Sequence, residues 1–207
     1  MKKRFILTLL VGLVMATTAC SSGDNDKVSV AANASADATE KIETEPQTES
    51  VSEVGKRSNP IPLGQTATFS NDYYSNNGET IEATISVTLS NVVRGEEAYS
   101  YLIGVNQFNE AAPDGYEWIV FDATLTLDKG SVDDAYYVMP SLKIIDSSGS
   151  EVNQSDYATF ATGEEFGYVD IYEGGQSSGK VGKLVPVGSD VLVEFSDWNS
   201  SVFFTLQ

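Results

Sequence analysis

Cys20 is the single thiol of a 207-residue chain that contains no histidine. A lone thiol can neither close an internal disulfide nor share in a thiolate metal cluster. The missing imidazole removes the commonest general base and metal ligand at neutral pH. Ser177, Ser178 and Lys180 form a Ser-x-Lys pattern, but in the glycine-rich run "EGGQSSGKVGK", which reads as a turn. Thirty acidic residues supply many carboxylates, and no pair of them is singled out for acid–base work on a glycosidic bond. Phosphate-loop and dinucleotide fingerprints are absent from the sequence. These residues predict a non-enzymatic chain with no cofactor.

Two residue classes could still bind. Asp72 to Glu79, Asp133–Asp134 and Asp146 to Glu151 bring oxygens close together, as a hard cation would need, yet none follows the twelve-residue calcium loop. Turn chemistry explains them as well, because Asp and Asn bond their own backbone, so no metal site is expected. Aromatic side chains are the other class: 10 Tyr, 9 Phe and 2 Trp. Exposed Tyr in the loops of a β-domain gives large contact area at low entropic cost. Tyr73 and Tyr74, expected in a loop, and Trp198, between "SD" and "NSS", are the candidate binding residues.

The elements that must hold these residues begin with an export segment. Lys2, Lys3 and Arg4 precede an apolar run from Phe5 to Met15, and small residues Ala16 to Ala19 follow. That is the n-, h- and c-region order of a secretory signal, with an apolar run too short to span a bilayer permanently. Ending at Cys20, it resembles a bacterial lipoprotein signal peptide, although Thr17 stands where that family prefers Leu. The resemblance implies cleavage after residue 19, acylation of the Cys20 thiol, and anchoring to the outer face of the cell membrane.

Residues 20–57 hold no aromatic side chain and are dominated by Ser, Thr, Ala, Asp and Glu. Such a stretch buries too little apolar surface to offset its ordering entropy, so a disordered tether is expected. As a coil it would reach on the order of 30 Å, and fully extended roughly 110–130 Å. The formal net charge of -18 repels nucleic acid and anionic headgroups. Membrane contact is therefore expected through the lipid alone.

From residue 58 onward the pattern alternates with period two. Ile81, Ala83, Ile85, Val87 and Leu89 share one face of a long strand, and Ile119, Phe121, Ala123, Leu125 and Leu127 share one face of another. Trp118 and Val120 lie on the opposite face of the second strand, which predicts that its beginning is covered on both sides. Shorter strands are expected at "TATF", "SLKIID", "SEV", "YATF", "FGYVDIY", "GKVGKLVPV", Asp190 to Phe195 and "SVFFTL". Eight or nine strands without a helical period predict an antiparallel β-sandwich over residues 58–207.

"NPIPLGQTATF", "GYEWIVFDATLTL", "LKIIDSSGSEV" and "YEGGQSSGKVGKLVPVGSDVLVEF" follow one another in an order that resembles the telokin-like, immunoglobulin-fold domains of Gram-positive lipoproteins. The resemblance covers about residues 56 to 207. It departs at Asp128-Lys129-Gly130, where the family usually has an Asn turn. It implies an immunoglobulin-like sandwich and brings no catalytic residues. The expected role is non-enzymatic binding of an extracellular protein or envelope component, with a structural or cation-binding envelope protein as the alternative.

Overall fold

A computed structural model describes residues 29–31 as backbone, and residues 54–197 and 200–207. Two antiparallel sheets face each other across one core. The larger is built from β1 (Ser29–Ala31), β2 (Thr66–Tyr74), β3 (Thr80–Arg94), β4 (Tyr116–Lys129) and β8 (Gln176–Pro186), in the order β1-β2-β3-β4-β8. The smaller has the order β10-β9-β6, from β6 (Ser141–Ile145), β9 (Leu192–Asp197) and β10 (Ser200–Thr205). A two-stranded ribbon of β5 (Tyr136–Val138) and β7 (Val169–Ile171) stands beside them.

The alternation read in the sequence is the one that is buried. Ala83, Ile85, Val87 and Leu89 of β3 and Phe121, Ala123, Leu125 and Leu127 of β4 lie in the core. They meet Ile144, Val193, Phe195, Val202 and Phe204 of the smaller sheet. Phe69 and Phe195 join the layers edge to face, with ring centroids 6.3 Å apart. At the β10 edge, Ile61 N donates to Phe203 O at 2.8 Å and Thr205 N donates to Ile61 O at 2.9 Å, so the opening segment adds to that strand.

A helix breaks the all-strand expectation. α1 (Gly95–Val105) follows β3 and packs Ala98 and Leu102 onto the outer face of β4 and β8. There Trp118, Val120 and Leu184 form a second apolar cluster, which accounts for the double coverage expected at the start of β4. Trp118 Nε1 donates to Glu110 O at 2.9 Å, fixing the loop that follows the helix. Four-residue spacing of Ala98 and Leu102 is a helical period, but only one turn long, and β-type neighbours hide it. Tyr99 and Tyr101 also lie on this helix.

Other expectations are corrected in detail. "YATF" (157–160) is irregular rather than a strand, and β5 appears where no strand was expected. β2 runs on to Tyr74, so Asp72, Tyr73 and Tyr74 are strand residues, with Asp72 opposite Glu82. Ordered structure reaches back to Val54, where Gly55 N donates to Asn59 O and Phe203 N donates to Gly55 O, each at 2.8 Å. Within the stretch expected to be a structureless tether, Ser29, Val30 and Ala31 pair with Thr68, Ala67 and Thr66. Backbone bonds to an open strand edge need no apolar side chains, which is why composition did not reveal them.

A candidate ligand-binding trough

β8 and β6 are the end strands of the two sheets on the same open side of the sandwich, and the irregular chain from Asn153 to Phe166 runs over that opening. Its approach to β8 is very close. A Cβ on Gly179 would stand 2.5 Å from Phe166 N, and one on Gly182 would collide with the Ala158 Cβ. Gln154 acts as a strand mimic at this edge: its Oε1 accepts from Leu184 N at 2.8 Å, and its Nε2 donates to Leu184 O at 3.0 Å. Lys180 N donates to Glu164 O at 2.6 Å, and Phe166 N donates to Lys180 O at 3.1 Å. The β8 edge is thus sealed at residues 180 and 184, as an exposed edge must be to resist aggregation.

Two grooves flank this covering segment. One, of about 200 Å³, has Phe160, Phe166 and Val181 among its walls and Met139, Tyr157 and Tyr168 on its rim. The other, of about 420 Å³, lies between Lys143, Ile144, Glu151 and Gln154. Leu142, Tyr157 and Lys183 line both, so the grooves form one trough. Tyr157 is 77% exposed and Tyr168 62% exposed. Tyr168 has φ +59, a left-handed conformation costly for a bulky residue. It is held there by its own N–H, which donates to Val138 O at 2.7 Å.

Lys183 is the unusual charge of the trough. It is half-buried and makes no hydrogen bond or ion pair with any described residue. Burial lowers its pKa below the ordinary lysine value, and the more distant Glu151 and Glu165 only partly counter that. Lys180 is satisfied by contrast: its Nζ lies 2.5 Å from Asp122 Oδ1 and 5.7 Å from the Tyr101 ring centroid. The hydrogen bond to Asp122 raises its pKa. Ser178 Oγ is bonded to Thr124 Oγ1 and Gln176 Nε2, so the Ser-x-Lys pattern forms no Ser–Lys pair.

The tyrosines named from the sequence are divided by the fold. Tyr73 is 3% exposed, stacked edge-on against Tyr136 at 5.1 Å, and its hydroxyl donates to Asp134 O at 3.1 Å. It is a core residue and cannot be a surface contact. Tyr74, its neighbour on β2, points the other way and is 62% exposed, because successive strand residues face opposite sides. It lies near the far end of the larger sheet from β8. Cys20 and Trp198 lie outside the described residues. Tyr157 and Tyr168, the rim aromatics, were missed. The sequence predicts a strand at Tyr157, and nothing local marks the reversed backbone at Tyr168.

The acidic turns are explained internally. Asp146 Oδ1 accepts from the Ser148 hydroxyl at 2.6 Å and from Ser150 N and Ser148 N, both at 2.9 Å; the hydroxyl first, then these amides, lower its pKa. Ser131 Oγ donates to Asp134 Oδ2 at 3.2 Å and accepts from Asp134 N at 2.8 Å. Among the described residues no group of three or more His, Cys, Asp or Glu could hold a metal ion.

No family model matches the chain, and no curated protein matches it. Two solved structures resemble it. One is MPT63, a secreted protein from Mycobacterium tuberculosis, with 16% identity and a TM-score of 0.42, covering 70% of this chain and 97% of that one. The other is an uncharacterised β-sandwich protein from Clostridium difficile 630, with 10% identity and a TM-score of 0.35, covering 79% and 100%. What stands of the telokin-like resemblance is the antiparallel sandwich itself.

Proposed function

We propose that the protein is a non-enzymatic surface lipoprotein that recognises an extracellular protein or envelope component through the trough between β6 and β8. One observation carries this reading: two adjoining grooves share Leu142, Tyr157 and Lys183, under a rim of exposed aromatic side chains. Exposed tyrosines around a concave, partly apolar surface are a recognition device, since they contribute area without being needed by the core. The export segment and the acyl-accepting Cys20 support display outside the cytoplasm.

Capture from envelope extract by the full chain tests the reading. Wild type should retain a partner, and a Tyr157→Ala/Tyr168→Ala variant with unchanged Tm should lose it. Equal capture by both would remove the trough from the reading. In cell fractionation, Cys20→Ser should leave the membrane fraction or accumulate as precursor. Wild-type protein found wholly soluble with a free thiol would refute the anchor. Two acyl chains are expected, because one binds membranes only marginally.

A further inference from the structure

We infer that the ligand of the trough is an oligosaccharide chain, laid with the apolar faces of its sugar rings against Tyr157 and Tyr168 and with an oxygen on the Lys183 ammonium. This inference rests on the recognition reading above and narrows it to a ligand class.

The shape admits something long. The two grooves adjoin at Leu142, Tyr157 and Lys183, with about 200 and 420 Å³ on either side, room for more than one sugar ring. Pyranose rings present C–H faces that stack on an exposed tyrosine, while their hydroxyl edges need hydrogen-bond partners. The trough offers both kinds of partner: the Lys183 ammonium as donor and Glu165 and Asn153 as acceptors, while Lys143 and Glu151 pair with each other at 3.3 Å and Lys180 with Asp122.

Charge narrows the class further. A polyanion would meet Glu151 and Glu165 in a chain of net charge -18, and a polycation would meet Lys143 and Lys183. A neutral polyhydroxylated ligand tolerates both signs. Lys183 is a donor that the fold leaves unused, and a hydroxyl or amide oxygen brought into the trough would satisfy it.

An extended peptide fits less well. Peptides that join a sheet bond to a run of free edge groups. Here the N–H and C=O of Lys180 and of Leu184 are already taken, and on β6 the carbonyl of Ile144 accepts from Val152 N. Side chains, and not backbone, must do the recognising.

The test is calorimetric titration of the full chain, in a sugar-free detergent, with three neutral probes: cellohexaose, chitohexaose and maltohexaose. At least one should bind. Tyr157→Ala and Tyr168→Ala should each weaken that probe by about tenfold or more. Lys183→Met should weaken binding while raising Tm, a combination that unfolding cannot mimic. Tyr74→Ala, on β2 and remote from the trough, should bind as wild type does. Binding of none of the probes, or binding undiminished in all three trough variants, would overturn the inference. The envelope capture separates this failure from that of the broader reading. Capture that needs Tyr157 and Tyr168 but survives glycosidase treatment and is abolished by protease means a protein partner, so the sugar assignment falls and the recognition surface stands.

Discussion

Lys183 and Tyr136 show two ways of placing a polar group in a β-sandwich. The Tyr136 hydroxyl is buried but fully engaged: it donates to Asp197 and accepts from Asn71 Nδ2 at 3.1 Å. Burial and the Asp197 carboxylate push its pKa far up, so it stays a neutral donor at any ordinary pH. Lys183 has burial without a hydrogen-bond or ion-pair partner among the described residues, and its pKa falls below the ordinary lysine value. The folded state therefore releases this proton more readily than the unfolded chain. At neutral pH the ammonium is charged in both states, and the folded state alone bears the desolvation cost. As pH rises from the lowered pKa towards 10.5, that cost is relieved. Lys183→Met is thus expected to raise Tm by a few degrees at neutral pH, with the gap to wild type narrowing under alkaline conditions. Thermal melts across that range check it, and a lower Tm in the variant would mean that Lys183 has a stabilising partner. A residue kept at a cost to stability is the pattern expected of a functional group.

Among the elements, α1 has the most consequence for the trough. Ala98 and Leu102 are fully buried against Trp118, Val120 and Leu184, and Tyr101 of the same helix packs on Phe160 with centroids 6.4 Å apart. Phe160 belongs to the segment that covers β8 and walls the trough. Asn109 ties the helix to that segment, donating to Leu102 O at 2.8 Å and accepting from Thr159 N at 2.8 Å. Leu102→Ala should cost about 2–5 kcal/mol, since the surrounding sheet can relax little into the cavity. Hydrogen exchange should then rise first in the covering segment around Thr159. If unfolding by denaturant shifts by less than about 1 kcal/mol, the helix is only loosely attached. β4 is legible in the sequence because alternation sustained from Ile119 to Leu127 outweighs local noise. α1 is not, because a single helical turn of buried residues is a weak signal beside "SVTLSNVV".

For the whole molecule, the stretch that precedes the sandwich is more than a spacer. β1 lies in it and pairs with the outer edge of β2. Deleting Ser29–Ala31 would return β2 to the state of an open edge. Amide exchange measured on the full chain and on this deletion should show lost protection along Thr66–Thr68 and little change in β4. Equal protection in both would mean that β1 does not hold its place in solution.

The sequence by itself determined the features that depend on neighbours along the chain. Period-two alternation at Ala83 to Leu89 and at Phe121 to Leu127 fixed which faces meet, and hence a sandwich. The Asp146-to-Gly149 turn and the absence of histidine were equally plain. Tertiary structure decided what depends on residues far apart. Tyr73 and Tyr74 are adjacent and look alike, yet one contacts Tyr136, 63 positions away, and the other faces solvent. Tyr157, Tyr168 and Lys183 come from an irregular segment, a reversed turn and the end strand of the larger sheet, and no spacing connects them. They converge because the two sheets end on the same side and the chain between β6 and β7 must cross the opening. Alternation encodes the face of each strand, but the order of the strands, and so what stands beside an edge, is set by the closing of the sandwich as a whole.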